Sequence, residues 1–344
     1  MGSTCSISKT HNHEIIQKRN KRYWSNNYII LGVLGKYEFG DIYKFSTISE
    51  NCAFKSPIYS IKFLQHSDND DNINDHFVNE FKILKLCNHG LIQSINKTTI
   101  SHDLTGFISN YEEHIMLEQI LGNIPSKYIK NIFYEIVIAL TYLHLQNIIH
   151  RDLIASNVLL TSSGHIKIIN FECAITYNPD VSFDKYSIRG NIECRAYEIF
   201  FNDFRKYTPN VDWWSAGILL YMMLLGQHPY IDYDLNGLTH VDKERLLTES
   251  TRFDILSNKI KHIKYGIIDI KYQHIIQELL HIIPEKRTCT NILKNSIFSE
   301  INDNYCVYNS CFDYMDVVQY AKINKLVYDY TNPITLTDFV KKCN

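Results

Sequence analysis

No apolar run in this 344-residue chain reaches the roughly 18 residues that a membrane-spanning helix needs, and no signal-peptide core is present. The chain also lacks C-x-x-C pairs. Its nine cysteines are an odd number, scattered without matching histidine spacing, which predicts reduced thiols rather than disulfides or zinc. Strong charge of either sign is missing as well. A formal charge of −2 argues against nucleic acid as a partner, because phosphate contacts demand a net basic face. Internal repeats are absent. What remains points to a soluble, cytoplasmic protein. Its length, with 45% hydrophobic residues, suffices for one two-lobed domain or two small domains with real cores.

The first residues add one qualification. Met1-Gly2-Ser3-Thr4-Cys5-Ser6 fits an N-myristoylation pattern, with Cys5 as a candidate for a second acyl chain. Lys9, Lys18, Arg19, Lys21 and Arg22 follow as a basic stretch. One acyl chain anchors only marginally, so peripheral membrane residence requires Cys5 or the basic stretch as well. The alternatives are a chance match or an acyl group folded back into a pocket.

Along the chain, Asn26–Leu34, Asp41–Thr47 and Pro57–Leu64 read as strands, with a glycine-containing turn after the first. Gln65–Asp75 reads as an exposed loop, and Phe77, Phe81, Leu84 and Leu86 then recur at helical spacing. Residues 95–117 predict two more strands, and Lys127–Leu145 an amphipathic helix. Short strands flank 150–170, and helices dominate after Val211. A β-rich first third followed by a helical remainder is an α+β, two-lobed order. It divides into a tail at 1–26, an N-lobe at 27–118, a C-lobe at 119–300 and a second tail at 301–344.

Six motifs and two single residues then occur in one order. Gly35-Lys36-Tyr37-Glu38-Phe39-Gly40 lies between the first two strands, and the third ends Tyr59-Ser60-Ile61-Lys62. Glu80 follows on the helix. His150-Arg151-Asp152-Leu153-Ile154-Ala155-Ser156-Asn157, Asn170-Phe171-Glu172 and Ala196-Tyr197-Glu198 come next, then Asp212-Trp213-Trp214-Ser215-Ala216-Gly217 and Arg287. Each alone is weak. In this order, over about 270 residues, they resemble the signature set of the eukaryotic protein-kinase superfamily. The strings Val211-Asp212-Trp213-Trp214 and Gly190–Glu198 resemble the AGC group, and in particular the catalytic subunits of cyclic-AMP-dependent kinases.

That resemblance implies a bilobal kinase fold and assigns roles. Gly35, Tyr37, Gly40, Ile42, Ser60, Lys62, Glu80, Glu118 and Leu159 would line a nucleotide site, with Lys62 oriented by Glu80 and Glu118 in the hinge. Asp152 is the would-be base, and Asn157 and Asn170 take the metal positions. Arg151, Glu198, Asp212 and Arg287 are structural. Leu84, Ile95, His150 and Phe171 would form an apolar spine. Ser187 is a candidate phosphosite whose phosphate Arg151 could receive. Phe312-Asp313-Tyr314 and Phe339 echo the tail segment over the nucleotide and a terminal hydrophobic motif.

The departures fall on the phosphates. Asn170 replaces a metal-bridging aspartate with a neutral amide, whereas Mg²⁺ prefers hard, charged oxygens. Ile154 stands in place of a lysine that steadies the terminal phosphate, and Asn191 in place of a threonine. Tyr37 fills the middle glycine of the loop, where a missing Cβ lets backbone N–H groups approach phosphate. Glu172 replaces a glycine and is either beside the site or turned to solvent. Ser156 and Met222 occupy positions of substrate-binding acids, and between Glu118 and Ile124 about a dozen residues are missing, so arginine-directed specificity does not carry over. Two readings follow: a pseudokinase with weak ATP and Mg binding that serves a protein partner, or a weakly active ATP-dependent Ser/Thr kinase.

Overall fold

Alternating apolar and polar residues build an antiparallel sheet of five strands: β1 (Tyr28–Tyr37), β2 (Gly40–Thr47), β3 (Ile58–Leu64), β4 (Lys97–Ser101) and β5 (Leu104–Asn110), in the order β1-β2-β3-β5-β4. Tyr43 and Phe45, two apart on β2, share one face with Ile61 of β3, and Val33, Tyr59 and Ile108 pack around them. Phe45 stacks on Tyr59 at 5.5 Å between ring centroids. The computed structural model describes residues 28–37, 40–47, 57–64, 71–101, 104–180, 189–200, 208–230, 267–287, 292–298 and 310–323. Gly2, Cys5, Ser187 and Phe339 lie outside them. The described chain divides into a smaller unit, 28–77 with 95–112, and a larger one, 78–94 with 113–323.

Three boundaries differ from the sequence expectation. β1 continues through the presumed turn to Tyr37, which pairs with Gly40. Register shifts at Ile30/Gly32 and Val33/Gly35 absorb the extra residues as bulges. Helix α1 (Asp71–Leu86) starts within the segment read as a loop, because the polar string at 71–75 hides the helical period. Residues 95–117 hold three strands rather than two, since β6 (His114–Met116) leaves the first sheet and pairs with the later strand β8 (Val158–Thr161). Hydrogen-bond partners, not composition, decide that switch.

In the larger unit, helix α2 (Ser126–Leu145) buries Ile129, Ile132, Phe133, Ile136, Val137, Leu140 and Leu143, the stripe expected of a core-facing helix. Each such side chain contributes about 1.5–3 kcal/mol of burial. Beside α2 lie two small sheets. In one, β7 (Ile148–Ile149) pairs with β10 (Ile175–Thr176). In the other, β8 (Val158–Thr161) sits between β6 and β9 (Ile166–Ile168). A one-turn helix α3 (Tyr197–Phe200) precedes α4 (Asn210–Leu225). The whole run from Val211 to Tyr221 is buried, as befits a helix at the centre of a helical layer. Helix α5 (Ile270–Leu279) packs on α4, capped by Asp269, whose carboxylate accepts from the Lys271 N–H at 2.8 Å. Among the described residues no helix is long and apolar enough to cross a membrane.

Phe312-Asp313-Tyr314 have a structural task here. Phe312 is buried, its ring edge-on to Tyr128 at 6.4 Å. Asp313 starts helix α6 (Tyr314–Ile323), accepting from the N–H groups of Met315 and Asp316 at 2.9 and 3.2 Å.

One ion pair ties α3 to the far end of the unit. Arg287 and Glu198 are 0% and 1% exposed and meet in a bidentate fork at 2.9 and 3.0 Å. Arg287 also donates to the carbonyls of His281, Asn210 and Ile282, and lies 4.8 Å from the Trp214 ring. Removing one partner strands the other as a buried charge. Arg287→Met is expected to destabilise the protein by about 3–5 kcal/mol in urea unfolding. A loss below 1 kcal/mol would remove the pair from this role.

Candidate active site

The smaller unit carries one set of the sequence-derived positions. Gly35 pairs with Ile42 across β1 and β2, and Ile42 pairs in turn with Lys62 of β3. Ser60 is half-buried opposite Lys44. Lys62 is buried, and its Nζ lies 5.9 Å from the Phe107 ring centroid. Tyr37 and Gly40 close the hairpin where the resemblance places an open glycine loop.

The larger unit carries the rest, and Asp212 organises it. Its buried carboxylate accepts from the backbone N–H groups of His150 and Arg151 at 2.9 and 2.8 Å and meets His144 Nε2 at 2.8 Å. Burial pushes the Asp212 carboxyl up, but the His144 hydrogen bond and the nearby imidazole charges outweigh it and hold the group below the usual carboxylate range. The loop from 150 to 157 is thus hung from helix α4. Arg151 has φ 65° and donates from Nε to the Cys173 carbonyl. The His150 ring packs edge-on to Phe171 at 4.7 Å and reaches the Ile169 carbonyl at 3.1 Å. Leu84 is buried in the same unit, whereas Ile95 belongs to the smaller one.

Asp152 is held from two sides. Oδ1 accepts from the Asn191 N–H at 2.7 Å and Oδ2 from Asn157 Nδ2 at 2.9 Å. The same Asn157 nitrogen bonds the Asp152 carbonyl at 2.8 Å, which directs its Oδ1 elsewhere. Burial raises the Asp152 carboxyl above its ordinary value. Asn191, His150 and Asn157 oppose that rise, and Glu172 adds to it. A desolvated, aimed carboxylate is suited to accept a hydroxyl proton. Sequence reasoning missed that the backbone of Asn191 makes this contact; its side chain turns away to cap Glu193 N–H at 2.8 Å. Gly190 allows the approach. At φ 88°, an added Cβ would sit 2.0 Å from the Arg151 carbonyl oxygen.

Asn170 has φ 64°, a left-handed conformation that Asn and Asp both tolerate. The backbone therefore accepts either residue; relative to aspartate, asparagine here removes a charge and turns one acceptor oxygen into an NH₂ donor. Phe171 is fully buried, with its N–H on Glu80 Oε1 at 3.1 Å, and Asn79 Nδ2 holds the Ala174 carbonyl at 2.8 Å. Helix α1 is pinned to this segment. Glu172 is half-buried and within electrostatic reach of Asp152, so it is not simply turned to solvent. Ile154 is half-buried and brings no charge to the loop.

Leu159 is nearly buried on β8 and pairs with Met116, two residues before the exposed Glu118. Glu118 sits in a single 3₁₀ turn, Leu117–Ile120, and α2 begins at Ser126. The chain closes this short path by a backbone approach of Gly122 to Gly226, where a Cβ on Gly122 would lie 2.6 Å from the Gly226 Cα. Ser156 and Met222 are both half-buried and uncharged.

A family model described as protein kinase domain matches residues 28–298. The chain is 29% identical over 280 residues to a RAC serine/threonine-protein kinase of Drosophila melanogaster, covering 78% of this chain and 41% of that protein. It is 29% identical over 270 residues to cAMP-dependent protein kinase type 3 of Saccharomyces cerevisiae, covering 73% and 64%. Against human RAC-beta serine/threonine-protein kinase it is 28% identical over 279 residues, covering 78% and 54%. The chain thus spans 41–64% of the length of these three curated relatives.

Two expectations follow from the clamp on the loop. A carboxyl held below its unfolded value contributes stability above about pH 3.9, and that stability is lost as pH falls through the folded value. Asp212→Asn should cost about 2–3 kcal/mol at pH 7 and flatten the acid limb of the stability–pH curve; parallel curves for the two proteins would contradict this. Gly190→Ala should cost about 1–3 kcal/mol from strain. It should also shift the Asp152 carboxyl resonance in NMR titration, and an unchanged titration would mean that the approach does not set the site.

Proposed function

Because this chain belongs to the protein kinase family, we propose that it is a pseudokinase: a kinase-fold module with a degraded phosphate site, acting on a partner protein as a signalling component or scaffold. The observation that carries the reading is Asn170, whose left-handed backbone would accept aspartate but which presents a neutral amide. Three further features point the same way. Ile154 brings no cation, Glu172 adds negative charge near Asp152, and Tyr37 stands in the hairpin where the family has glycine.

Asn157 and Asn170, the two metal positions, offer neutral amide oxygens only, a poor match for Mg²⁺, which favours charged oxygens. Lys62 retains the means to hold a nucleotide's phosphates, so weak ATP binding without turnover is part of the proposal. Losing one preorganised charge-stabilising group costs about 10²–10³ in rate. Two such losses imply about 10⁴–10⁶ if they add, although groups acting as a unit are not additive. Kinases turn over at roughly 1–100 s⁻¹, so the remainder would approach background.

A second reading is favoured by Asp152, which keeps its Asn157 and Asn191 hydrogen bonds. Like its serine/threonine-kinase relatives, the chain would then transfer phosphate from ATP to a Ser or Thr hydroxyl, slowly. Thermal melting with and without ATP and Mg²⁺, run beside radiolabel transfer to generic protein substrates, separates the two. The pseudokinase reading expects at most a nucleotide-dependent melting shift and no transfer. Transfer abolished by Asp152→Ala would establish the kinase reading instead. Tyr37→Gly, Ile154→Lys and Asn170→Asp together are expected to raise activity by at least about 10². No gain would mean that the lesions lie elsewhere.

A further inference from the structure

Glu135, His165 and Cys311 converge beside helix α2, and nothing in the proposed function uses them. One ligating atom from each lies within 4.8 Å of the other two. They come from three separate elements: α2, the turn between β8 and β9, and the segment leading into α6. Glu135 is fully buried, Cys311 is 9% exposed, and His165 is partly open to solvent, leaving a route inward.

The cluster is held in place by its surroundings. Glu135 Oε1 meets His165 Nδ1 at 2.6 Å, and Oε2 accepts from the Ile166 N–H at 2.8 Å. The Cys311 thiol also hydrogen-bonds Glu135. Cys311 is fixed by its own backbone: its N–H donates to the Gly164 carbonyl at 2.8 Å, and its carbonyl accepts from Asn131 Nδ2 at 3.0 Å. Burial, and then the Glu135 charge, push the thiol well up, so it is a protonated group and not an activated nucleophile.

The geometry points to a zinc site formed by Cys311 Sγ, His165 Nδ1 and a Glu135 carboxylate oxygen. Tetrahedral zinc with bonds of about 2.0–2.3 Å to S, N and O donors holds them roughly 3.3–3.8 Å apart. The present cluster needs small side-chain adjustments to reach that spacing. The charges close: a thiolate, a carboxylate and a neutral imidazole cancel the dication, which suits a buried place. On binding, the metal takes the place of the thiol proton, which leaves to solvent, and the neutral His165 ring carries its proton on Nε2 so that Nδ1 is free to ligate. The Ile166 N–H continues to orient the carboxylate from behind. A fourth position is left to water on the His165 side. Bound metal would fasten the segment before α6 to α2, and α6 packs on the 3₁₀ turn that carries Glu118. Cysteine spacing along the sequence gave no sign of this, because the three ligands are brought together only by the fold.

The test uses the full chain after treatment with a chelator. Zinc is titrated against a chromophoric competitor, and cobalt(II) reports thiolate ligation by its charge-transfer absorption. One metal per chain is expected, with a raised melting temperature. Cys311→Ser and His165→Gln, each checked for folding by circular dichroism, should lose the cobalt–thiolate band and bind zinc at least about 10–100-fold more weakly. In the wild-type chain, alkylation read by mass spectrometry should show zinc slowing modification of Cys311 about tenfold or more. A chain that takes up no metal overturns the proposal. So does a band that survives in the two variants, or a Cys311 whose alkylation ignores zinc.

Discussion

The Asp212 carboxylate is the constraint on which the larger unit's chemistry depends. It accepts the N–H groups of two successive loop residues, His150 and Arg151, while His144 supplies the third contact. A loop that turns back on itself leaves backbone donors without ladder partners, and a buried donor left unmade is costly. One carboxylate satisfies two of them. It thereby fixes the left-handed turn at Arg151 and sets the direction in which Asp152 leaves the backbone. Everything placed by that turn, including the Asn157 and Asn191 contacts, follows from a residue that is itself fully buried.

From this anchor the packing of the scaffold and the charge differences on which the proposed pseudokinase reading rests are separable. The Glu198–Arg287 fork, the buried run of α4 and the Phe171–Glu80 hydrogen bond are all in place. These are packing and hydrogen-bond features, and their loss would cost folding. Asn170, Ile154 and Glu172 change charge where the backbone is indifferent to it. A fold retained for binding keeps the first set and is free to vary the second. That asymmetry is why the pseudokinase reading is favoured over a slow enzyme.

Much of the fold was legible in the sequence. The period of α2, the apolar run of α4 and the strands around Tyr43, Phe45 and Ile61 follow from hydrophobic spacing. The motif order singled out Asp152, Asn157, Asn170 and Asp212 as candidates. Less legible were the first turn of α1, hidden in polar residues, and the departure of β6 to another sheet, which depends on a hydrogen-bond partner more than 40 residues away. The contact of Asn191 with Asp152 was not legible, because sequence records side chains and the contact belongs to the backbone.

The sequence by itself determined which residues are chemically able to act: where carboxylates, amides and the buried lysine stand, and where a lysine or aspartate is missing. Only the tertiary structure decided what those groups meet. It turned Phe312 and Asp313 into a buried ring and a helix cap, made Gly190 the point of contact with Arg151, and gathered Glu135, His165 and Cys311 into one cluster. The physical reason is range. Propensity and periodicity act over a few neighbouring residues, whereas burial, charge pairing and close backbone approach join positions tens to hundreds of residues apart.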